Sequence, residues 1–232
     1  MLRGIEQSGI MDEIELSVAY PAELARQLKE GSIDMALMPV AAMRGIPGAR
    51  IVSDYGIAAD GPVASVCIYS QVPMEQIGAV YLDYQSRTSV KLAQILMAKL
   101  WKRAVTWKPA PENYIEYIND TTAGVIIGDR ALKQLHNFNY VFDLAAGWKE
   151  LTGLPFVFAA WISNKDLPAD FLERFNEANR LGLEKIDEVV AANPFPYYDL
   201  KKYYTENIHY FLDDNKKKGL ALFLEYLAEE VS

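Results

Sequence analysis

Ser86-Arg87-Thr88-Ser89 concentrates side chains that could bind an anion. The segment lies between an apolar run over 80–82 and a stretch over 90–102 in which apolar residues recur at helical spacing. A helix start has free backbone N–H groups and the positive end of the macrodipole, so it attracts negative charge. One guanidinium and three hydroxyl groups there could hold a carboxylate or a phosphate. The alternative is that Ser86 only caps the helix and Arg87 is a solvated surface charge.

Two further segments carry polar or small residues next to predicted strands. Ser65 follows a Gly-Pro turn and lies two residues into a strand predicted over 63–69. A buried strand predicted over 123–127 ends at Gly128 and Asp129, where a helix begins. Each has a structural alternative, because Ser65 could bond to the backbone and Asp129 could cap its helix after a glycine turn.

The sequence contains few residues that could form a metal site, a nucleotide site or a reactive thiol. The two histidines, His136 and His209, lie far apart, and neither has a Cys, His or Asp neighbour at metal-ligand spacing. The sequence has no Gly-rich nucleotide-binding loop. Cys67 lies in an apolar run, which predicts a buried and unreactive thiol. Nothing in these motifs therefore indicates a metal or another cofactor.

Composition limits the possible partners. The chain has 232 residues, 51% of them hydrophobic, which is enough for one large domain or two small lobes. Its net charge of −8 disfavours nucleic acid and anionic membrane surfaces, so an anionic ligand needs a local positive site. The single cysteine excludes an intrachain disulfide. No apolar run approaches the roughly 20 residues that span a bilayer, and the first residues lack an apolar signal segment, so we expect a cytoplasmic protein.

The elements that must position these residues alternate between strand and helix and end in helices alone. This order predicts an α/β protein with mixed, mostly parallel sheets, beginning with a strand over 14–18. Buried strands over 63–69 and 156–162 bracket a middle block, as two crossings between two lobes would do. We predict lobe 1 over 1–70 and 162–232 and lobe 2 over 71–161, with the ligand in a cleft between them.

Four motifs, taken in order, resemble one known family. G-P-V-A-S-V, L-D-Y-Q-S-R-T-S-V, I-I-G-D-R-A-L and T-G-L-P-F-V-F-A-A-W have the order and rough spacing found in the chorismate dehydratases of the futalosine route to menaquinone. The resemblance covers nearly the whole chain, from about Gly4 onward. It implies a two-lobed fold like that of the type II periplasmic binding proteins, in a cytoplasmic enzyme that needs no cofactor.

The resemblance also implies a substrate, a reaction and site residues. The family's lyase removes water from chorismate, a small dianion, and gives 3-[(1-carboxyvinyl)oxy]benzoate. Ser65 matches the family's catalytic or substrate-contacting serine, and Gly128 and Asp129 match a junction that lines the cleft. The residues matching the segment that faces the substrate's carboxylate are Ser86, Arg87, Thr88 and Ser89.

The motifs leave the identity of the general base open. They supply hydroxyl groups, amides and one arginine, but no histidine or lysine. One hypothesis is that the substrate's own side-chain carboxylate takes the proton while Ser65 positions that carboxylate or the departing hydroxyl. The rival hypothesis is that Asp129 is the base.

This sequence departs from the family pattern at its start. Family members usually begin with a strand that carries a motif like S-Y-L-N, whose asparagine reaches into the site. Residues 1–5 align just after that strand, so we expect a sheet with an exposed position in lobe 1 and a site that lacks this polar group. Two other functions fit the fold: a non-catalytic small-anion binding protein, and the sister lyase that acts on cyclic dehypoxanthinyl futalosine. The S-R-T-S and T-G-L-P-F-V-F-A-A-W motifs look more like the dehydratase.

Overall fold

The computed structural model describes residues 1–83 and 86–229, which divide into two units. Unit 1 comprises Met1–Ile57 and Ala159–Asp213, and unit 2 comprises Ala58–Phe158 and the chain from Asp214 onward. Each unit contains a sheet and helices of its own.

The strands of the described residues form one sheet of four strands and one of five. They are β1 (Ala36–Pro39), β2 (Arg50–Ala59), β3 (Val66–Ser70), β4 (Ala79–Leu82), β5 (Thr106–Pro109), β6 (Thr122–Ile127), β7 (Tyr140–Asp143), β8 (Phe156–Ser163) and β9 (His209–Phe211). The strand order is β1-β8-β2-β9 in the first sheet and β5-β4-β6-β3-β7 in the second.

Helices connect most of these strands and follow the last of them. They are α1 (Leu2–Glu6), α2 (Pro21–Glu30), α3 (Arg87–Lys99), α4 (Asp129–Gln134), α5 (Leu144–Thr152), α6 (Ala169–Leu183), α7 (Ile186–Ala192), α8 (Leu200–Lys202) and α9 (Asp214–Glu229). Short 3-10 turns occur at Gly9–Asp12, Val40–Gly45, Met74–Gln76 and Tyr114–Tyr117, and a π-helical turn at Tyr203–Asn207. No helix of the described residues is both long and apolar enough to cross a membrane.

The unit boundaries differ from the predicted lobes, 1–70 with 162–232 and 71–161. Residues 58–70 belong to unit 2 because β3 lies inside its sheet, between β6 and β7. Helix α9 also belongs to unit 2, since its Phe223 ring packs edge-on against Trp148 at a centroid distance of 6.1 Å. A sequence pattern can indicate a strand, but it does not show which neighbouring strands that strand will pair with. For this reason the unit boundaries differ from the predicted lobes.

In unit 1, β1 lies at the edge of its sheet and pairs antiparallel with β8. The strand predicted over 14–18 is absent, because this segment pairs with no neighbouring strand. Its alternation has another origin in part: Ile14 and Leu16 pack against the core around Trp161 and Phe175 and Glu15 between them is exposed, but Val18, the third apolar residue of the pattern, is also exposed. One-sided packing thus produced a strand-like sequence pattern without a strand.

The five-stranded sheet of unit 2 is mixed, as predicted. Strand β4 pairs parallel with β5 and β6, and β3 pairs antiparallel with β6 and β7. Parallel pairs do not predominate among the described pairings. Strands β6 and β7 run in the same direction and are connected by helix α4, but β3 lies between them and pairs antiparallel with both. As a result, the start of β3 lies beside the ends of β6 and β7, with Val66 opposite Ile127 and Cys67 opposite Asp143.

Candidate functional site

The candidate site is the edge of the unit 2 sheet at which β3 begins and β4, β6 and β7 end. Helices α3, α4 and α5 follow these three strands and begin at this edge, at Arg87, Asp129 and Leu144. Helix starts present free N–H groups and partial positive charge, so the edge favours an anionic ligand. All seven residues that the sequence singled out lie in the loops or helix starts along this edge.

Ser65 lies in a turn before β3 and not inside the strand, as the sequence had predicted. Its N–H donates to the Val63 carbonyl oxygen at 2.8 Å, and Ala64 between them has φ of 63°. This hydrogen bond between residues two apart, around a positive φ, is the arrangement of a γ-turn. Ser65 is only 3% exposed, and its carbonyl oxygen accepts a hydrogen bond from the Gly128 N–H at 2.7 Å. The structure therefore brings two of the predicted site residues into direct contact.

Gly128 and Asp129 form the exposed start of α4. Gly128 has φ of 64° and ψ of −146°, a combination that residues with a Cβ rarely adopt. Its carbonyl oxygen accepts hydrogen bonds from the N–H groups of Ala131 and Leu132, at 2.9 and 3.2 Å. Asp129 is the first residue of the helix and its side chain is exposed. The glycine thus makes the sharp turn that lets α4 start beside Ser65.

Ser86 caps helix α3, as the alternative interpretation of the sequence held. Its Oγ accepts from the Ser89 N–H at 3.2 Å and lies 3.0 Å from the Ser89 Oγ. Thr88 and Ser89 are buried, whereas Arg87 is exposed and forms no ion pair with any residue of 1–83 or 86–229. Tyr84 and Gln85 of the same motif lie outside the described residues. The hydroxyl groups of Ser86 and Ser89 therefore organise the helix start, and Arg87 supplies its available positive charge.

A buried ion pair connects two loops of the edge, and the sequence analysis missed it. The Asp83 carboxylate, whose side chain is 0% exposed, lies 2.6 Å from Nη2 of Arg130, whose side chain is 28% exposed. The Tyr114 hydroxyl lies 2.8 Å from the same carboxylate oxygen and 2.6 Å from the Val125 carbonyl oxygen. A signal was available, because an acidic residue directly after an apolar strand is rarely buried unless it has a partner.

Asp143, at the end of β7, is a second residue that the sequence analysis missed. Its Oδ2 accepts from the Ala64 N–H at 2.7 Å, and its Oδ1 accepts from the N–H groups of Ala145 and Ala146 at 3.0 Å each. Burial raises the pKa of the Asp143 carboxyl, and the hydrogen bonds from backbone N–H groups oppose that rise. The signal in the sequence was the aspartate before Leu-Ala-Ala, which is typical of a helix N-cap.

Cys67, near the start of β3, is buried, as predicted. Burial raises the pKa of its thiol, and the nearby Asp143 carboxyl adds to the effect. A thiol held in its neutral form is a poor nucleophile, so Cys67 does not supply the chemistry of this edge. Among residues 1–83 and 86–229 there is no group of three or more His, Cys, Asp and Glu side chains that could hold a metal ion.

The T-G-L-P-F-V-F-A-A-W motif is largely structural. Trp148, just before it, is buried against the rings of Phe156 and Phe223. Gly153 ends α5 in the left-handed conformation, with φ of 73°. Strand β8 follows directly and is buried along most of its length. This motif therefore contributes to two cores, to that of unit 2 through Phe156 and to that of unit 1 through Trp161.

A cavity of about 1150 Å³ lies within unit 1, and none of the predicted site residues lines it. Its wall is largely apolar and includes Trp161 and Phe171. Arg174, a cation on this wall, is already paired with Glu13 and Asp170. The wall's other arginine, Arg3, lies 3.9 Å from Glu6. A largely apolar wall whose two arginines are both paired with carboxylates suits a small anion poorly, so the candidate site remains the sheet edge of unit 2.

Comparison with known sequences identifies relatives across most of the chain. A family model described as menaquinone biosynthesis matches residues 3–229. A chorismate dehydratase from Thermus thermophilus is 28% identical over 234 residues, covering 90% of this chain and 85% of the relative. A chorismate dehydratase from Campylobacter jejuni is 27% identical over 148 residues, covering 62% of this chain and 66% of the relative.

Comparison with solved structures confirms the predicted fold class, the periplasmic-binding-protein fold. A protein from Archaeoglobus fulgidus superposes with a TM-score of 0.71 at 16% identity, covering 95% of this chain and 88% of the other. The alkanesulfonate-binding protein of Xanthomonas axonopodis gives a TM-score of 0.63 at 14% identity, covering 98% and 88%. A Candida albicans protein described as having the generic periplasmic binding protein fold gives 0.59 at 13% identity, covering 96% and 85%.

Proposed function

This chain belongs to the menaquinone-biosynthesis family, and from that premise we propose that it is a chorismate dehydratase of the futalosine route. The observation that carries the proposal is the sheet edge in unit 2, where Ser65 contacts Gly128 and where three helices begin. This edge joins a buried hydroxyl to positive partial charges, which is the combination that a small dianion undergoing elimination requires.

Chorismate carries a ring carboxylate and a second carboxylate on its enolpyruvyl side chain. We assign the ring carboxylate to the start of α3, where the exposed guanidinium of Arg87 adds a full charge to the helix dipole. Ser86, Thr88 and Ser89 shape this helix start, and the cap formed by Ser86 fixes its first turn. The acidic background of the chain makes such a local cation important for binding.

The reaction removes a ring hydrogen as a proton and the neighbouring hydroxyl group, and the two together leave as one water molecule. The electron pair of the broken C–H bond enters the ring as the C–O bond breaks, and the ring becomes aromatic. Aromatisation supplies a large driving force, so the protein mainly has to orient the substrate and stabilise developing charge. Since the elimination changes no net oxidation state, it requires no redox cofactor.

Ser65 is the residue to which we assign the reacting end of the substrate. Its buried hydroxyl positions either the side-chain carboxylate, which takes the proton, or the departing hydroxyl group. Gly128 and Asp129 line the adjacent helix start. Asp129 is exposed, so it lacks the water-excluding surroundings of Ser65, and we assign the role of base to the substrate's own carboxylate.

The location and partners are part of the same proposal. We propose a cytoplasmic enzyme with a small dianionic substrate, and the match to chorismate dehydratases supports this proposal. The interior position of Ser65 and the exposed Arg87 support a small-molecule substrate.

The proposal is tested by incubating the protein with chorismate and following the ultraviolet absorbance of the aromatic product. We expect turnover that Ser65→Ala lowers by about 100- to 1000-fold, the usual effect of losing one transition-state hydrogen bond. Ser70→Ala removes another buried hydroxyl of the same strand region and serves as the matched control, with near-normal turnover. Asp129→Asn should also retain near-normal turnover, and a loss like that of Ser65→Ala would identify Asp129 as the base.

Two results would contradict the proposal. Chorismate bound without any product formed would favour a small-anion binding protein of the same fold. Turnover of cyclic dehypoxanthinyl futalosine, with chorismate left unchanged, would favour the sister lyase.

A further inference from the structure

We propose that Asp143 is a positioning residue for Ser65, acting through a strained turn at Ala64. The inference rests on the proposed role of Ser65, and it extends that role to the backbone of Ala64 and to Asp143, which lies outside the four motifs. Asp143 itself does not contact the substrate in this proposal. Its function is to hold the backbone that carries the serine.

The turn at Ala64 is conformationally costly. Ala64 has φ of 63°, a region that residues other than glycine, asparagine and aspartate seldom adopt, because the Cβ crowds the following carbonyl. Such a conformation persists only where the surroundings hold it, and it is enriched at functional sites. A glycine at this position would adopt the same conformation without cost, so the presence of alanine makes the turn stiffer than it needs to be.

The contact that holds the turn is the Asp143 carboxylate. One of its oxygens accepts from the Ala64 N–H at 2.7 Å, and the other accepts from two N–H groups at the start of α5. One half-buried side chain thus ties the turn to the helix. A second link joins the same parts, because Lys149 of α5 lies 2.6 Å from Asp60, just before the turn. The second link is more exposed to solvent, so the link through the half-buried Asp143 carboxylate dominates.

The turn is fixed on its other side by α4. The Gly128 N–H donates to the Ser65 carbonyl oxygen at 2.7 Å. Ser65 therefore lies between two anchors, a carboxylate that holds the residue before it and a helix start that holds its own carbonyl. With both peptide groups fixed, the serine side chain has a defined origin and direction, which is the condition for an oriented catalytic hydroxyl.

Asp143→Asn tests this role selectively. Asparagine is as good an N-cap as aspartate, so its amide oxygen can keep both bonds to α5. Its NH2 group then faces the Ala64 N–H, and two donors repel. We expect kcat for chorismate to fall about 10- to 100-fold with KM changed less than threefold, since a displaced catalytic group affects turnover more than binding. Asp199→Asn, at the N-cap of α8, is the matched control and should change neither value.

Ala64→Gly provides a second test that does not depend on the stability of the first variant. Glycine relieves the strain, so we expect a higher melting temperature together with a lower kcat, because the freed turn holds Ser65 less firmly. A purely structural role for this turn predicts that stability and turnover rise or stay constant together. Unchanged kcat in both folded variants would overturn the inference.

Amide hydrogen exchange separates this inference from the proposed function. We expect the Ser65 and Gly128 amide hydrogens to exchange faster in Asp143→Asn than in the wild-type protein, whether or not chorismate is turned over. Wild-type protein that does not convert chorismate would contradict the proposed function alone. Unchanged exchange at both amides would contradict the role of Asp143 even if the wild-type protein were an active dehydratase.

Discussion

The sheet edges of the two units are built differently. At the site edge of unit 2, polar contacts with at least one buried or half-buried partner link neighbouring loops and helix starts: Ala64 to Asp143, Ser65 to Gly128 and Asp83 to Arg130. At the β1 edge of unit 1, a largely apolar cavity adjoins the strand. Arg174, one of the two arginines on the cavity wall, is paired with exposed carboxylates that solvent can reach.

This difference predicts where the protein is rigid. Buried polar groups interact strongly in a medium of low dielectric constant, and each costs free energy if it is left unpaired, so the loops of unit 2 are held in one arrangement. Exposed pairs contribute little, and residues around a cavity can repack. We therefore expect substitutions at the site edge to cost more stability than chemically similar substitutions around the cavity.

The largest expected contrast is between two arginines. Arg130→Met removes the cation beside the Asp83 carboxylate, which is 0% exposed. Because Asp83 is then left buried without its ion-pair partner, we expect the free energy of unfolding to fall by about 3–5 kcal/mol. Arg174→Met removes an equally charged group whose partners are exposed, and we expect a loss of about 0–1 kcal/mol. Urea unfolding measures both values.

Amide hydrogen exchange measured separately for unit 1 and unit 2 would show whether the two units unfold together. Equal losses for the two arginine variants would contradict the contrast between the edges. A loss confined to the amides of unit 2 in Arg130→Met would sharpen it, because the buried pair would then stabilise its own unit only.

The sequence predicted the local features of the site better than the contacts between its parts. The helix after Ser86 follows from apolar spacing and a serine cap, both encoded within a few residues, and α3 confirms it. The position of Ser65 was wrong because the γ-turn depends on Asp143, which lies in a different strand. No local pattern could give that contact.

The same limit applies to the rest of the fold. Asp83 and Arg130 are 47 residues apart, so only the parallel pairing of β4 and β6 places their loops side by side. The segment over 14–18 shows the reverse case, since its alternation reflects packing on a core and no ladder forms. The pattern therefore predicted the inward-facing Ile14 and Leu16 but not the exposed Val18, and the chain topology determined which residues the inward-facing side chains contact.

A second contrast concerns aromatic packing. Phe223 is fully buried between Trp148 and Phe156 in unit 2, so Phe223→Ala leaves a void and should cost about 3–5 kcal/mol. Phe171 stacks on Phe175 but borders the cavity of unit 1, so Phe171→Ala creates little new void and should cost about 1–2 kcal/mol. Urea unfolding of the two variants under one buffer condition gives the difference. A cost for Phe171→Ala equal to that of Phe223→Ala would show that the cavity wall is as tightly packed as the unit 2 core.

The smallest expected effect tests the cap that starts α3. Ser86→Ala removes the acceptor for the Ser89 N–H and should cost about 1 kcal/mol of stability. Ser8→Ala is the control in unit 1, since the Ser8 hydroxyl caps no N–H group of the 3-10 turn that it precedes and only donates to the Ile5 carbonyl oxygen at 3.1 Å, so its loss should cost less. Because the cap orders the helix start beside Arg87, Ser86→Ala should also raise KM for chorismate several-fold while kcat changes little. A change in kcat with constant KM would instead place Ser86 among the groups that act on the transition state, next to Ser65, and would move the boundary between the binding and the reacting ends of the site.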